Sequence, residues 1–270
     1  MKLAICNETF PRTPFEEAVC LIRELGYEGV EIAPFTLAPT ITEINEHTLT
    51  MLRQVVESYG LSVTGMHWLL AKVPGVHLTS PNPAIREVTR RYLLAVIRAC
   101  QKLGGRYLVF GSPAQRNVVP GVSYEQAWDW ARTSFCAIAS YAADYGLTFC
   151  LEPLSASETN LFTTAAEAIQ MIREVDQLSF RLILDVKAMC TEQRSIPEII
   201  AESAPYLAYF HANDANRREP GAGNVDFVPI FQSLRMAGYD GWVSVEVFEY
   251  EPDPRIIARR GIQYLRQALR

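Results

Sequence analysis

The chain has 270 residues, 49% of them hydrophobic, which suits one large core and matches a single (β/α)₈ barrel of about 250 residues better than two ordinary domains. A formal charge of −5 excludes the basic surface of a general nucleic-acid binder, and no apolar run approaches the roughly 20 residues of a membrane span. The six cysteines form no CxxC pair or regular array, so they read as small buried hydrophobes of a reducing compartment, with Cys190 the one closest to the site argued below.

The N-terminal stretch MKLAICNETF enters a strand at once, without the pattern of a secretory leader, and the expectation is a cytoplasmic protein. From Leu3–Cys6 onward, short β-rich runs alternate with amphipathic helical patterns. The helix Phe15–Leu25 stops at Gly26 and leads into a strand at Gly29–Ile32. A second helix, Glu43–Tyr59, stops at Gly60 before the strand Ser62–His67. The helix Pro83–Leu103 precedes the strand Tyr107–Phe110, and Ser123–Tyr145 precedes Thr148–Glu152. Thr164–Val175 leads to Leu182–Asp185, Ile196–Ala204 to Tyr206–His211, and Phe227–Ala237 to Val243–Val247, with Pro254–Leu269 as the last helix. Ser123 with Gln126 and Thr164 with Glu167 have the spacing of capping boxes. Eight strand-like runs, mostly apolar on successive residues as parallel strands buried on both faces require, predict one closed α/β TIM barrel over residues 1–270. The longest connections, Trp68–Asn82 and Ala212–Val225, follow the third and seventh strands, where catalytic-face loops form walls.

Four chemistry-bearing side chains stand at the ends of the last four strands: Glu152 in FCLEPL, Asp185 in RLILDVK, His211 in AYFHAND and Glu246 in WVSVEVF. Their separations, roughly 25 to 35 residues, are each about one strand-plus-helix unit. A parallel barrel brings such strand ends to one face, so the four are expected to converge. Alone, each has an ordinary structural role open to it, a salt bridge for Glu152 or a helix cap for Asp185. Together, three carboxylates and one imidazole suit one divalent cation, with Mn²⁺, Mg²⁺ or Co²⁺ favoured and Zn²⁺ admissible. Glu246 alternates within VSVEVF, sharing its face with Ser244 and Phe248.

These motifs resemble the xylose isomerase-like TIM-barrel superfamily, and within it the sugar phosphate isomerase/epimerase group and ketose 3-epimerases related to D-tagatose 3-epimerase. The resemblance rests on EPLSASETN at 152–160, the strand ending at Asp185, HANDANRREPGAGNVDF at 211–227 and VSVEVF around Glu246. It implies that Glu152, Asp185, His211 and Glu246 hold the metal. It also implies that Glu152 and Glu246 move protons through a metal-bound cis-enediolate of an open-chain sugar, sugar phosphate, sugar acid or cyclitol. Glu158 and Arg217, the latter ahead of the Pro220-Gly221-x-Gly223 turn, match substrate-side residues of the family. The family's usual His three residues after the metal-binding Asp is Ala188 here, which puts ordinary free-ketose 3-epimerase activity in question. Lys187 is either a compensating donor or, the preferred reading, a solvent-facing residue at a helix start. His67 and Trp68 after the third strand are expected to contact the sugar. Arg116, in the GSPAQR stretch after the fourth, is open between an anionic substrate group and a structural ion pair. Glu8 and Glu31, at the first two strand ends, are candidates for hydroxyl contacts or for supporting the metal ligands.

The expected partner is a small carbohydrate, with no nucleic acid and no membrane; a homodimer follows only from the resemblance. A non-catalytic metabolite-binding barrel is the alternative outside enzymology. An endonuclease IV-like repair enzyme shares the fold but needs a histidine-rich trinuclear zinc cluster, which four histidines, with His47 in a helix and His77 in a loop, do not supply.

Overall fold

A computed structural model describes residues 1–270. Eight parallel strands close a barrel in chain order: β1 Lys2–Cys6, β2 Gly29–Ile32, β3 Ser62–Met66, β4 Tyr107–Phe110, β5 Thr148–Leu151, β6 Phe180–Asp185, β7 Leu207–Ala212 and β8 Trp242–Val245. The outer layer is α1 Phe15–Leu25, α2 Glu46–Ser58, α3 Pro83–Leu103, α4 Tyr124–Asp144, α5 Ala165–Val175, a one-turn α6 Val186–Met189, α7 Ile196–Ser203, α8 Phe227–Met236 and α9 Pro254–Ala268. This is the expected TIM barrel, with every expected strand and helix present and boundaries shifted by at most three residues. The element without a sequence expectation is α6, because a single turn carries no periodicity to read.

The helix ends follow local chemistry. Gly26 and Gly104 end α1 and α3 in the left-handed conformation, at φ 93° and 83°. Ser123 and Gln126 form both halves of a capping box at α4. At α5 the box is half made: Thr164 accepts from the Glu167 N–H, but the Glu167 carboxylate turns to the backbone N–H and hydroxyl of Thr163.

The main core of 68 buried residues fills the layer between strands and helices. A separate small cluster, Val109, Cys150, Ile183 and Tyr209, plugs the barrel interior. Side chains two apart on a strand share a face. The inward positions directly above this plug are therefore Gly111, Glu152, Asp185 and His211, and above Ser244 stands Glu246. The apolar plug forms the floor and the polar layer faces the C-terminal mouth. Glu152 and Glu246 lie one residue beyond their assigned strands but stay on the ladder: the Glu152 N–H donates to Phe110 O (3.1 Å) and the Glu246 N–H to Ala212 O (3.2 Å).

Candidate metal centre and active site

Ligand atoms of Glu152, Asp185, His211 and Glu246 all lie within 4.8 Å of one another, and all four residues are buried. His211 organises the set. Its Nε2 lies 3.1 and 3.2 Å from the two oxygens of Glu31, while its Nδ1 lies 3.2 Å from Glu152 Oε1 and 3.3 Å from Glu246 Oε2. Burial opposes protonation of His211, but Glu31 and Glu246 hold it well above its ordinary value, so both ring nitrogens face carboxylates as donors; with Nε2–H kept on Glu31, Nδ1 is the nitrogen that would give up its proton to a bound cation. Glu31, fully buried at the end of β2, also accepts from Tyr209 (3.1 Å) and Cys6 Sγ (3.4 Å). Burial would raise its carboxyl, but the His211 and His67 imidazoles hold it down to about 2. Glu31 thus supports the cluster.

Asp185 ends β6 and caps α6. Its Oδ1 accepts from the Ala188 N–H (2.7 Å), and its Oδ2 from Asn213 Nδ2 (2.6 Å). Asn213 also accepts from the Lys187 N–H, so it ties α6 to the β7 exit. The sequence reasoning passed over Asn213, whose signal was a polar residue two positions after His211 on a buried strand exit. Burial pushes Asp185 up, and the nearby Glu246 and Glu152 carboxylates push the same way, against Lys187. Glu246 behaves oppositely: burial raises it, but His211 and His67 outweigh burial and hold it well below the usual carboxylate range. Three buried carboxylates crowded around one imidazole fit a hard divalent cation. A glycine makes room for them: a Cβ at Gly111 would overlap Glu152 Oε2.

A second chain of contacts leads away from Glu246. His67 Nδ1 lies 3.2 Å from Glu246 Oε1, and its Nε2 lies 3.0 Å from Glu8 Oε2. Burial opposes protonation of His67, but Glu8 and Glu31 raise it, to about 10. His67 therefore meets the candidate base rather than standing apart as a free sugar donor, and Glu8 is its other partner. Trp68, next in sequence, meets Phe248 edge-on with ring centroids 6.2 Å apart.

Two expectations about cations are corrected. Lys187 is not solvent-facing. It is 6% exposed, its Nζ donates to both oxygens of Glu158 at 2.7 and 2.8 Å, and it lies over the Phe248 ring. The one-turn α6 points it back across the mouth. Arg116 is not at the substrate face. It is fully buried beneath it, donating to the carbonyls of Glu152 (2.6 Å) and Phe162 (3.2 Å), with a longer contact to Phe110 O (3.5 Å). The short turn Pro113–Gln115 folds it inward, where it satisfies the Glu152 carbonyl and adds a second donor to Phe162 O, which also accepts from the Leu154 N–H. The structural alternative for Arg116 holds, as carbonyl bonds rather than an ion pair.

Glu158 faces the mouth as expected. Burial would raise its carboxyl, but Lys187, Ser155 and Arg217 bring it below the ordinary value. Arg217 is exposed, lies over Phe248 at 4.9 Å, and accepts from the Phe248 N–H through its own carbonyl (3.0 Å). Cys190 is exposed, and His47 and His77 lie outside the cluster, in α2 and in the loop before α3.

Comparison with known proteins agrees with this fold. The family model described as xylose isomerase-like TIM barrel matches residues 19–268. The chain belongs to that family. A D-psicose 3-epimerase of Ruminiclostridium cellulolyticum is 28% identical over 229 residues, covering 84% of this chain and 76% of its own. A 3-dehydro-D-guloside 4-epimerase of Escherichia coli is 25% identical over 279 residues, covering 98% and 99%. A crystal structure of D-psicose 3-epimerase in the presence of D-fructose superposes with a TM-score of 0.87 at 22% identity, covering 100% of this chain and 99% of that one, which attests the fold.

Proposed function

We propose that this protein is a divalent-metal-dependent epimerase or isomerase of a keto sugar. The observation that carries the reading is the convergence of Glu152, Asp185, His211 and Glu246 within 4.8 Å at the barrel mouth, with Glu31 3.1 Å from His211 Nε2. Family membership supports it, as do relatives named for epimerising free ketoses and substituted sugars. Those four residues would hold the cation, which supplies polarisation of the sugar carbonyl and acidifies the adjacent C–H. Mn²⁺, Mg²⁺ or Co²⁺ matches a donor set of three carboxylates better than Zn²⁺.

The protein's own share of the chemistry is proton transfer. Glu152 leaves β5 and Glu246 leaves β8, so the two carboxylates approach from different sides of the mouth. One removes the proton alpha to the carbonyl and the other returns a proton to the opposite face, inverting that carbon. Return to the neighbouring carbon from one side interconverts aldose and ketose. Glu152 and Glu246 both line the inner space, where each carboxylate faces the sugar. Trp68 and Phe248 wall the reacting centre. The Glu158–Lys187 pair and Arg217 supply polar contacts for sugar oxygens beside it. With Ala188 in place of an imidazole and Lys187 committed to Glu158, the usual contact of free-ketose 3-epimerases has no replacement, so a different sugar class is expected.

The test is solvent deuterium incorporation, read by mass spectrometry, into a panel of ketoses, ketose phosphates, keto sugar acids and cyclitol ketones, with Mn²⁺, with EDTA and with Glu246→Gln. Metal-dependent exchange that disappears in the variant is expected. No exchange across the panel from metal-loaded protein would overturn the reading in favour of a binding barrel. The endonuclease-like alternative has only His67 and His211 at the site.

A further inference from the structure

Two spaces adjoin the cluster. The inner one, among His67, Glu152, Glu158 and Glu246, has a free volume of only about 20 Å³. The outer one, sharing Trp68 and Phe248 with it, has about 610 Å³ and opens over β1 and the β2 and β3 exits. The outer volume lies in the range of about 300–1,000 Å³ of small-molecule sites, and the inner one lies far below it.

The outer cavity has the chemistry of a carbohydrate site. Phe10, Phe35, Trp68, Phe248 and Tyr250 give it aromatic walls, on which the C–H face of a sugar ring rests favourably. Its floor holds an acceptor without a donor: Glu8 is 3% exposed, and while Oε2 meets His67, Oε1 is buried with no hydrogen-bond partner. A buried acceptor of this kind is made good by a ligand hydroxyl. At the rim, Lys72 over Phe35 (3.9 Å) and Arg217 over Phe248 (4.9 Å) offer donors, and neither is in an ion pair. Trp68, Lys72 and Arg217 account for three of the six non-glycine residues with positive φ, at 54°, 63° and 69°. Left-handed backbone at non-glycine positions concentrates at ligand-holding segments, where surrounding structure enforces it.

We propose that the outer cavity is a second sugar subsite, and that the substrate is a glycosylated keto sugar. The keto unit reacts at the cluster while a linked ring lies between Phe35 and Phe248, with a hydroxyl on Glu8 Oε1. This rests on the proposed epimerase reading and specifies its substrate class.

The test is calorimetric titration of Mn²⁺-loaded protein with D-fructose and with its 4-O- and 6-O-glucosyl derivatives, alongside deuterium exchange into each. At least one glucosyl ketose is expected to bind tenfold or more tightly than D-fructose. Phe35→Ala and Lys72→Ala, both outside the reacting centre, are expected to remove that gain while leaving D-fructose binding and exchange unchanged. Equal affinities, or a gain that survives both substitutions, overturn the subsite while exchange into D-fructose keeps the epimerase reading. Absence of binding and exchange with all three sugars overturns the subsite, and absence of exchange across the wider panel of keto sugars overturns the epimerase reading as well.

Discussion

Glu31→Gln isolates the support of the metal ligand from the ligand itself. Glu31 and His211 are both fully buried, so no water replaces a lost contact between them. The carboxylate accepts the Nε2 proton of His211 at 3.1–3.2 Å and so leaves Nδ1 as the nitrogen to ligate. Glutamine keeps the volume and an oxygen at the Oε2 position for the Tyr209 hydroxyl and Nε2–H, but it loses the negative charge and sets an amide donor 3.2 Å from the same Nε2–H. The imidazole is then held by a neutral acceptor beside a competing donor, which weakens its orientation and the basicity of Nδ1. Loss of such a supporting contact lowers metal affinity about 10–100-fold, or about 1.4–2.7 kcal/mol. Mn²⁺ titration by calorimetry, with thermal unfolding of the metal-free variant as the control for folding, measures this directly. An affinity within twofold of the parent, from a variant that unfolds at the parental temperature, would refute the assignment of Glu31 as the residue that orients His211.

Other perturbations separate site from scaffold. Gly111→Ala puts a methyl against Glu152 Oε2 and is expected to weaken Mn²⁺ binding by about tenfold or more, read by the same titration. Arg116→Met leaves the buried carbonyl of Glu152 without a donor and takes one of two from Phe162, which should cost about 1–3 kcal/mol in denaturant unfolding; a change confined to KM would instead argue for a substrate contact. Burial holds the His77 pKa below its ordinary value, so the fold favours the neutral ring. The contribution of His77 to stability is present above about pH 6.5 and is lost as pH falls through its folded value. His77→Gln should flatten the stability profile on that acid side, and an unchanged profile would exclude the effect.

The convergence of the four candidate ligands was legible because each stands at the end of an apolar run and period-2 alternation fixes which way it points. Glu152, Asp185, His211 and Glu246 sit two residues above Cys150, Ile183, Tyr209 and Ser244, and closing the barrel does the rest. Lys187 and Arg116 were not legible in the same way. Both lie just past a strand, where direction depends on a single turn of helix, and neither one-turn segment leaves a periodic trace. The Glu31–His211 and His67–Glu8 contacts were beyond reach for another reason, since they join residues from separate repeats that meet only across the barrel axis.

By itself, the sequence determined the eightfold alternation of strand and helix, the capping of several helices and the identity of the four side chains that converge at the mouth. These follow from local patterning of apolar and polar residues. Only the tertiary structure decided which further carboxylates join the four at the mouth, which cation is buried under the site, and how large a space opens beside it. Those outcomes depend on distances across the barrel mouth, and such distances exist only once all eight strands have closed.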